Sequence, residues 1–228
     1  MNKETLSKEL QRLNLDSTKV DELESFMLAT LKANESFNLT AIKEVEKFRE
    51  LMILDSAYPL QYFDFTNKKI IDIGTGAGYP GMVLAILSKG QFTLLDSTKK
   101  KIDFIKDYVY IHNIDNVSLV VDRAEIYSKK HREAYDIATA RAVSELNVLL
   151  ELVLPLVKVG GYFIALKGNK GLEELDKAKT ILNKLGGEVF KIDKYELPES
   201  KEERINIIIK KVRKTPKKYP REYSEIIK

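Results

Sequence analysis

Apolar residues recur at helical spacing through the first part of the chain and at strand spacing after it. Leu6, Leu10 and Leu13 stand at i, i+4 and i+7, and Leu23, Phe26, Met27, Thr30 and Leu31 form a second stripe. Such stripes mark the buried faces of amphipathic helices. Thr18, with Asp21 three residues on, reads as a capping box that opens the second helix. Residues 1–57 are predicted to form a helical cap.

From Lys68 the period changes. Ile70 to Ile73 is a short apolar run ending in glycines, a helical run covers Gly81 to Leu87, and Phe92 to Asp96 is a second strand. A helix is predicted over Lys99–His112, with Ile102, Ile105, Val109 and His112 on one face. Val117–Val121, Tyr135–Thr139 and Gly161–Leu166 are further apolar runs separated by helical patterns. This alternation implies crossover units and a parallel sheet covered on both faces. Val189–Leu197 and Arg204–Val212 are joined only by Pro198-Glu199-Ser200-Lys201, which leaves no room for a helix, so they should pair as an antiparallel hairpin. The expected architecture is an α/β Rossmann-like domain over residues 58–213. Its mostly parallel seven-stranded sheet ends in that hairpin, with the helical cap before it and a basic tail, 214–228, behind.

A chain of 228 residues, at ~150 per domain, suits one such domain with appendages. It has no cysteine, and His112 and His131 are its two histidines. That removes disulfide scaffolds, Cys-ligated metals, a three-His site and a thiol nucleophile, so no metal is expected. The N-terminus lacks the apolar core of a signal peptide. The longest apolar stretch, Leu146 to Val157, is broken by Asn147, Glu151 and Pro155 and is too short to span a bilayer. A cytoplasmic protein is expected, and no exposed apolar stripe calls for anything beyond a monomer. The formal charge is +4, yet Lys210 to Arg221 hold seven Lys or Arg and no acid, and subtracting these seven leaves −3 for the rest. Local basicity of this kind suits contact with a nucleic-acid backbone; a solvated terminal charge run is the simpler alternative.

The chemistry concentrates in Asp72-Ile73-Gly74-Thr75-Gly76-Ala77-Gly78-Tyr79-Pro80-Gly81, between the first strand and its helix. Glycines let the backbone turn tightly and approach a ligand, and the following helix presents free N–H groups. Asp96 ends the second strand, where a carboxylate can accept from both hydroxyls of a ribose. Gly76 to Gly81 reads G-x-G-x-x-G, so a nicotinamide oxidoreductase must be considered. Three features favour S-adenosylmethionine: Asp72 ahead of a G-x-G-x-G run, which suits a ligand with an ammonium group; the terminal hairpin; and the lack of chain for a substrate domain. Further on, Arg123, Ala124 and Glu125 follow the third strand, Glu125 being either an adenine partner or a plain helix N-terminal acid. Arg141 and Lys167 end the fourth and fifth strands and point toward the crevice where such folds bind ligands.

Eight short motifs then fall in a recognisable order: Asn38-Leu39-Thr40, Ile53-Leu54-Asp55-Ser56, the glycine loop ending Tyr79-Pro80-Gly81, Leu94-Leu95-Asp96-Ser97, Asp122-Arg123-Ala124-Glu125, Thr139-Ala140-Arg141-Ala142, Ala165-Leu166-Lys167-Gly168, and Thr215-Pro216-Lys217-Lys218-Tyr219-Pro220-Arg221. The chain resembles the bacterial GidB/RsmG methyltransferases over nearly its whole length. The resemblance implies a class I S-adenosylmethionine-dependent methyltransferase acting on N7 of a guanine in 16S ribosomal RNA of the small subunit. It implies cofactor contact by Gly74, Tyr79, Ala124, Glu125 and Arg141, to which the loop reading adds Gly76, Gly78 and Asp96. It further implies RNA contact by Arg123, Arg141 and Lys167, with Asn38 lining the pocket. Met52 stands where the family generally has His, and the last seven residues depart from the family's Gly/Pro-rich ending. A non-catalytic ribosome-assembly factor on the same fold is the alternative of a different class.

Guanine N7 carries a lone pair and no proton, so no general base is required of this chain. Catalysis should come chiefly from proximity, which can supply roughly 7–11 kcal/mol. Arg141 or Arg123 is expected to bond a phosphate or O6 and leave N7 free, with Lys167 acting as a point charge.

Overall fold

The computed structural model describes residues 1–227. Helices α1 (Lys3–Arg12) and α2 (Val20–Asn34) bury the predicted stripes, with Leu6, Leu10, Leu23, Phe26 and Met27 all in the core. The entry to α2 differs from the expected capping box. Asp16 caps a 3-10 turn over Ser17–Lys19, accepting from the Thr18 amide at 3.0 Å and its hydroxyl at 2.6 Å. Thr18 is thus the capped residue, because a carboxylate two positions ahead is the better acceptor. Next, α3 (Val45–Phe48) runs through a π-helical stretch, Arg49–Leu54, into α4 (Asp55–Ala57).

The sheet follows as β1 (Lys69–Ile73), α5 (Gly81–Leu87), β2 (Gln91–Asp96), α6 (Lys99–Ile111), β3 (Val117–Val121), α7 (Ala124–Lys130), β4 (Tyr135–Arg141), α8 (Leu146–Val153), β5 (Val157–Lys167), α9 (Gly171–Leu185), β6 (Gly187–Glu196) and β7 (Glu203–Lys211). Its order is β3-β2-β1-β4-β5-β7-β6. The first five strands are parallel, and β7 enters antiparallel between β5 and β6. The strand order reverses between β1 and β4, which opens a crevice beyond their carboxyl ends.

One apolar layer runs without a break from Met1, Leu6 and Phe26 to Ile70 and Phe92, so the helical cap and the sheet share a core. A second layer lies under α8 and α9 and includes Tyr219 and Ile226 from the chain's last segment. No helix of the described residues is long and apolar enough to cross a membrane.

The basic segment is not a free arm. Lys211 belongs to β7 and is wholly buried, its Nζ donating to the carbonyls of Leu154 and Val157, and burial lowers it to about 8. Arg213 bonds Asn183, and Arg221 meets the buried Glu151 through its guanidinium at 2.8 Å and its amide at 2.7 Å. Arg132 reaches over from the preceding layer to the carbonyls of Thr215 and Tyr219, at 2.6 Å each. The Tyr219 ring is buried against the domain. Lys217 and Lys218 stay exposed. Counting charges along the sequence misses the acids and carbonyls that claim them after folding, since buried polar groups demand partners.

Candidate active site

Beyond the carboxyl ends of β1, β2, β4 and β5 lie two cavities, of about 760 and 370 Å³. Gly74, Lys101, Ala142 and Val143 border both, making them two ends of one trough. The smaller end gathers Asp96, Asp122 and Glu125 with Ala124, Arg123 and Tyr223. The larger end gathers Arg141, Lys167 and Arg204 with Asp55, Glu174 and Glu202.

The glycine loop divides its labour. Gly74 (φ +66°) and Gly76 (φ +60°) hold left-handed backbone, a conformation that favours glycine. A Cβ at Gly74 would strike Val143 Cγ2 at 2.6 Å, whereas one at Gly76 would meet only a carbonyl at 4.0 Å and project into open space. Gly78 (φ +99°) turns inward, where a Cβ would lie 2.8 Å from both Met82 and Phe26. Expected among the cofactor contacts, Gly78 is placed outside the trough lining and serves helix packing. Gly81 does the same against Leu94.

Asp72 also departs from its expected role. Its carboxylate is fully buried, accepting from the Gly81 amide at 3.0 Å and the Thr139 hydroxyl at 2.8 Å. It ties β1 to β4 and to the start of α5, and it borders neither cavity. Burial raises it to about 6, although those hydrogen bonds pull the other way. Asp96 is the strand-end acid that faces the trough. Its Oδ2 accepts from the Gly76 amide at 3.0 Å and its Oδ1 from the Thr98 amide at 2.8 Å. These bonds fix the carboxylate and leave lone pairs for two further donors. A Gly76 cradle that any Cβ would fill, beside a fixed acid, fits the ribose of an adenosine cofactor.

Other expected residues fall on one side or the other. Ala124 and Glu125 line the acidic end, and Glu125 is paired with Arg123. Arg123 therefore belongs to the acidic end, away from Arg141 and Lys167. Arg141, expected at both ligands, reaches the cap: its Nη1 donates to the Leu51 carbonyl at 3.1 Å and lies 3.4 Å from Asp55 Oδ2, while Nη2 lies 3.2 Å from Met52 Sδ. Lys167 Nζ contacts the Ser144 carbonyl and Glu174, both at 2.7 Å. Tyr79 borders the larger cavity, but its ring is buried between Phe26 and Phe48 and its hydroxyl meets Thr30 at 3.1 Å. Asn38 is exposed and lies outside the lining, where Leu39 and Thr40 take the place expected of it. Asn34 arranges that turn by accepting from the Leu39 amide at 2.7 Å and the Thr40 amide at 3.0 Å.

Three contributors carry weak sequence signals. Asp55 is a hub: the Tyr195 hydroxyl donates to Oδ1 at 2.8 Å, and Arg141 and Arg204 both stand 3.4 Å from Oδ2. Burial first, and then Asp55, push the Tyr195 hydroxyl well up from its ordinary range. Asp55 lay within a quoted motif, but nothing there pointed to Arg204. Ala142 sits at φ +54° in the shared wall, a conformation its side chain does not advertise. Tyr223 comes from the segment that departs from the family ending.

A mostly parallel sheet closed by an antiparallel pair, with a glycine loop facing a strand-end acid, defines a Rossmann-like methyltransferase. Solved structures agree on the fold. A SAM dependent methyltransferase from Aquifex aeolicus superposes with a TM-score of 0.54 at 18% identity, covering 72% of this chain and 92% of its own. An rRNA methylase from Streptococcus thermophilus gives 0.51 at 18%, covering 70% and 95%. At the sequence level, the GidB model, described as rRNA small subunit methyltransferase G, matches residues 19–205. Ribosomal RNA small subunit methyltransferase G of Staphylococcus aureus is 42% identical over 97% of this chain and 95% of its own length. Its counterpart in Staphylococcus epidermidis is 43% identical over the same shares. The chain belongs to the GidB family. The nicotinamide alternative falls with this, and physically because Gly78, the glycine that would have to let a pyrophosphate approach the backbone, faces Met82 and Phe26 in the core.

Proposed function

We propose that this methyltransferase moves the methyl group of S-adenosylmethionine to N7 of a guanine in 16S ribosomal RNA, as part of small-subunit maturation. The observation that carries the reading is the division of one trough into an end lined by Asp96, Ala124 and Glu125 and an adjoining end carrying Arg141, Lys167 and Arg204, with Gly74 bordering both and Gly76, on the larger side, donating its amide to the Asp96 carboxylate. The first end suits a neutral ribose and purine beside a carboxylate, and the second suits a phosphate backbone.

Bound S-adenosylmethionine supplies a methyl group on a sulfonium, which the N7 lone pair can take directly with the C–S electrons leaving on sulfur. The chain's own task is placement. Asp96 accepts from ribose hydroxyls, and the glycine backbone lets the cofactor lie against β1. Arg141 and Lys167 bind phosphate or O6 and keep N7 free, since a cation facing N7 would oppose the positive charge that methylation creates. Both histidines are stacked on tyrosines away from the trough, His112 on Tyr108 and His131 on Tyr127. Lys217 and Lys218 extend the RNA contact outward. The helical cap, through Leu51, Met52 and Asp55, forms the far wall of the substrate end.

The test is incubation with a tritiated methyl donor and small subunits from a strain lacking the enzyme, followed by mapping of the labelled base. Label on one guanine, removed by treatments that cleave at N7-methylguanine, is the expected outcome. Label elsewhere, or none with a well-folded enzyme that binds the cofactor, overturns the reading.

A further inference from the structure

We infer that the chain's last segment forms part of the cofactor site: Tyr223, paired with Arg123, is the outer wall against the purine ring and a specificity-determining residue for it. This rests on the assignment of the Asp96 end to the cofactor. Tyr223 borders that cavity together with Asp96, Ala124 and Glu125. The Arg123 guanidinium lies 4.9 Å from the centre of the Tyr223 ring and also engages the buried Glu125. A carboxylate, a cation and an aromatic face thus stand together at the end of the trough that Lys167 does not line.

The segment is anchored so as to present that ring. Just before it, Arg221 is locked on the buried Glu151 at 2.8 Å. Helix α10 (Tyr223–Ile226) begins with a reciprocal capping box between Glu222 and Glu225, and Glu222 also pairs with Lys129. Ile226 is buried in the core under α8 and α9. Three independent ties within six residues leave the Tyr223 ring little choice of position. A planar π face beside a guanidinium is chemistry suited to a purine, which offers a face for stacking. Among the described residues no hydrogen bond to the Tyr223 hydroxyl contributes, so the ring itself should carry the effect.

The experiment is calorimetric titration of the full chain with S-adenosylhomocysteine and with 5′-methylthioadenosine, which keeps the purine and ribose and lacks the amino-acid end. Tyr223→Phe should bind both within about twofold of the parent. Tyr223→Ala should bind both about tenfold more weakly, by equal factors, with unchanged RNA affinity. Tyr223→Leu retains apolar bulk without a π face and should show most of the same loss, which keeps the test open if the alanine variant folds poorly. Parent-like binding of both ligands by folded Tyr223→Ala or Tyr223→Leu overturns the inference and leaves the cofactor assignment standing. Failure of the parent itself to bind either ligand overturns that assignment, and this inference with it.

Discussion

The acidic and cationic ends of the trough are built on different plans. At the acidic end a few local bonds set the geometry: Asp96 holds the Gly76 and Thr98 amides, and Glu125 holds Arg123 two residues away. At the cationic end the charges are held by distant parts of the chain. Arg141 meets Asp55 across a sequence separation of 86, Arg204 comes from the terminal hairpin to the same carboxylate, and Lys167 donates to the Ser144 carbonyl across a separation of 23. The first end is a preformed socket with acceptor capacity to spare. The second is a set of cations already paired, into which, on the proposed reading, an RNA phosphate would enter by adding to, or displacing, protein carboxylates. Ordered cations of this sort lose less freedom on binding than solvated ones, which favours placement over raw affinity.

The largest effect expected from this contrast is at Asp96. Asp96→Ala removes two charge-assisted bonds to ribose, each worth about 1.5–3 kcal/mol, and should weaken S-adenosylhomocysteine binding at least ~100-fold. RNA affinity should stay within about twofold, because Asp96 lines the acidic end and touches none of Arg141, Lys167 and Arg204. Calorimetry and filter binding read the two separately. Parallel losses would show that the ends are not independent.

Asp72 lies beneath both ends and gives the contrast a pH signature. Its folded carboxyl is raised to about 6 by burial, against ~3.9 when unfolded. The folded state therefore holds the proton more tightly, and the stability this gives is fully present below about pH 4 and lost as the pH rises to about 6. The stability of Asp72→Asn relative to the parent should improve over that window by about 3 kcal/mol, at 1.36 kcal/mol per pKa unit, and stay level above it. Denaturant unfolding at several pH values checks this. A pH-independent difference would place the titration elsewhere.

Much of the acidic end was legible in the sequence, and little of the cationic end was. Asp96, Gly74 and Gly76 sit at fixed offsets on a strand–loop–helix unit, so local spacing predicts their convergence. The same spacing says nothing of which glycine faces ligand, and Gly78 turned to the core because α2 and its Phe26 pack there. Arg204 and Asp55 meet only once the hairpin has joined β5 and the cap has docked, a register that no local pattern encodes. The π-helical stretch that sets Leu51, Met52 and Asp55 along the wall follows from tertiary packing. The docking of the basic segment was illegible for the converse reason: its cations were evident, but the groups that hold Arg221 and Lys211, Glu151 and the carbonyls of Leu154 and Val157, lie far off in sequence.

At the cationic end, Lys167→Met keeps the buried stem and removes the charge. A charged hydrogen bond of about 2 kcal/mol corresponds to roughly a 30-fold fall in kcat/KM for the ribosomal substrate, with S-adenosylhomocysteine affinity unchanged. The variant also frees Glu174, which still accepts from the Leu146 amide at 2.8 Å, so the fold should persist. A loss confined to cofactor affinity would assign Lys167 to the wrong end.

The smallest effect is the most discriminating, because it falls on the wall between the ends. Ala142 holds φ +54°, a conformation that costs a residue with a Cβ roughly 1–2 kcal/mol. Glycine removes that cost but gives back about 0.5–1 kcal/mol in unfolded-chain entropy. Ala142→Gly should therefore be slightly more stable, by up to about 1.5 kcal/mol, raising Tm by no more than about 6 °C for a chain of this size. It also frees the turn that supplies Val143 to both cavities and the Ser144 carbonyl to Lys167. If the wall is common property, calorimetry and RNA binding should weaken together, each by about two- to threefold, while the melt improves. Weakening at one end only would mean that Ala142 serves that end alone, and that the two cavities meet without sharing their support.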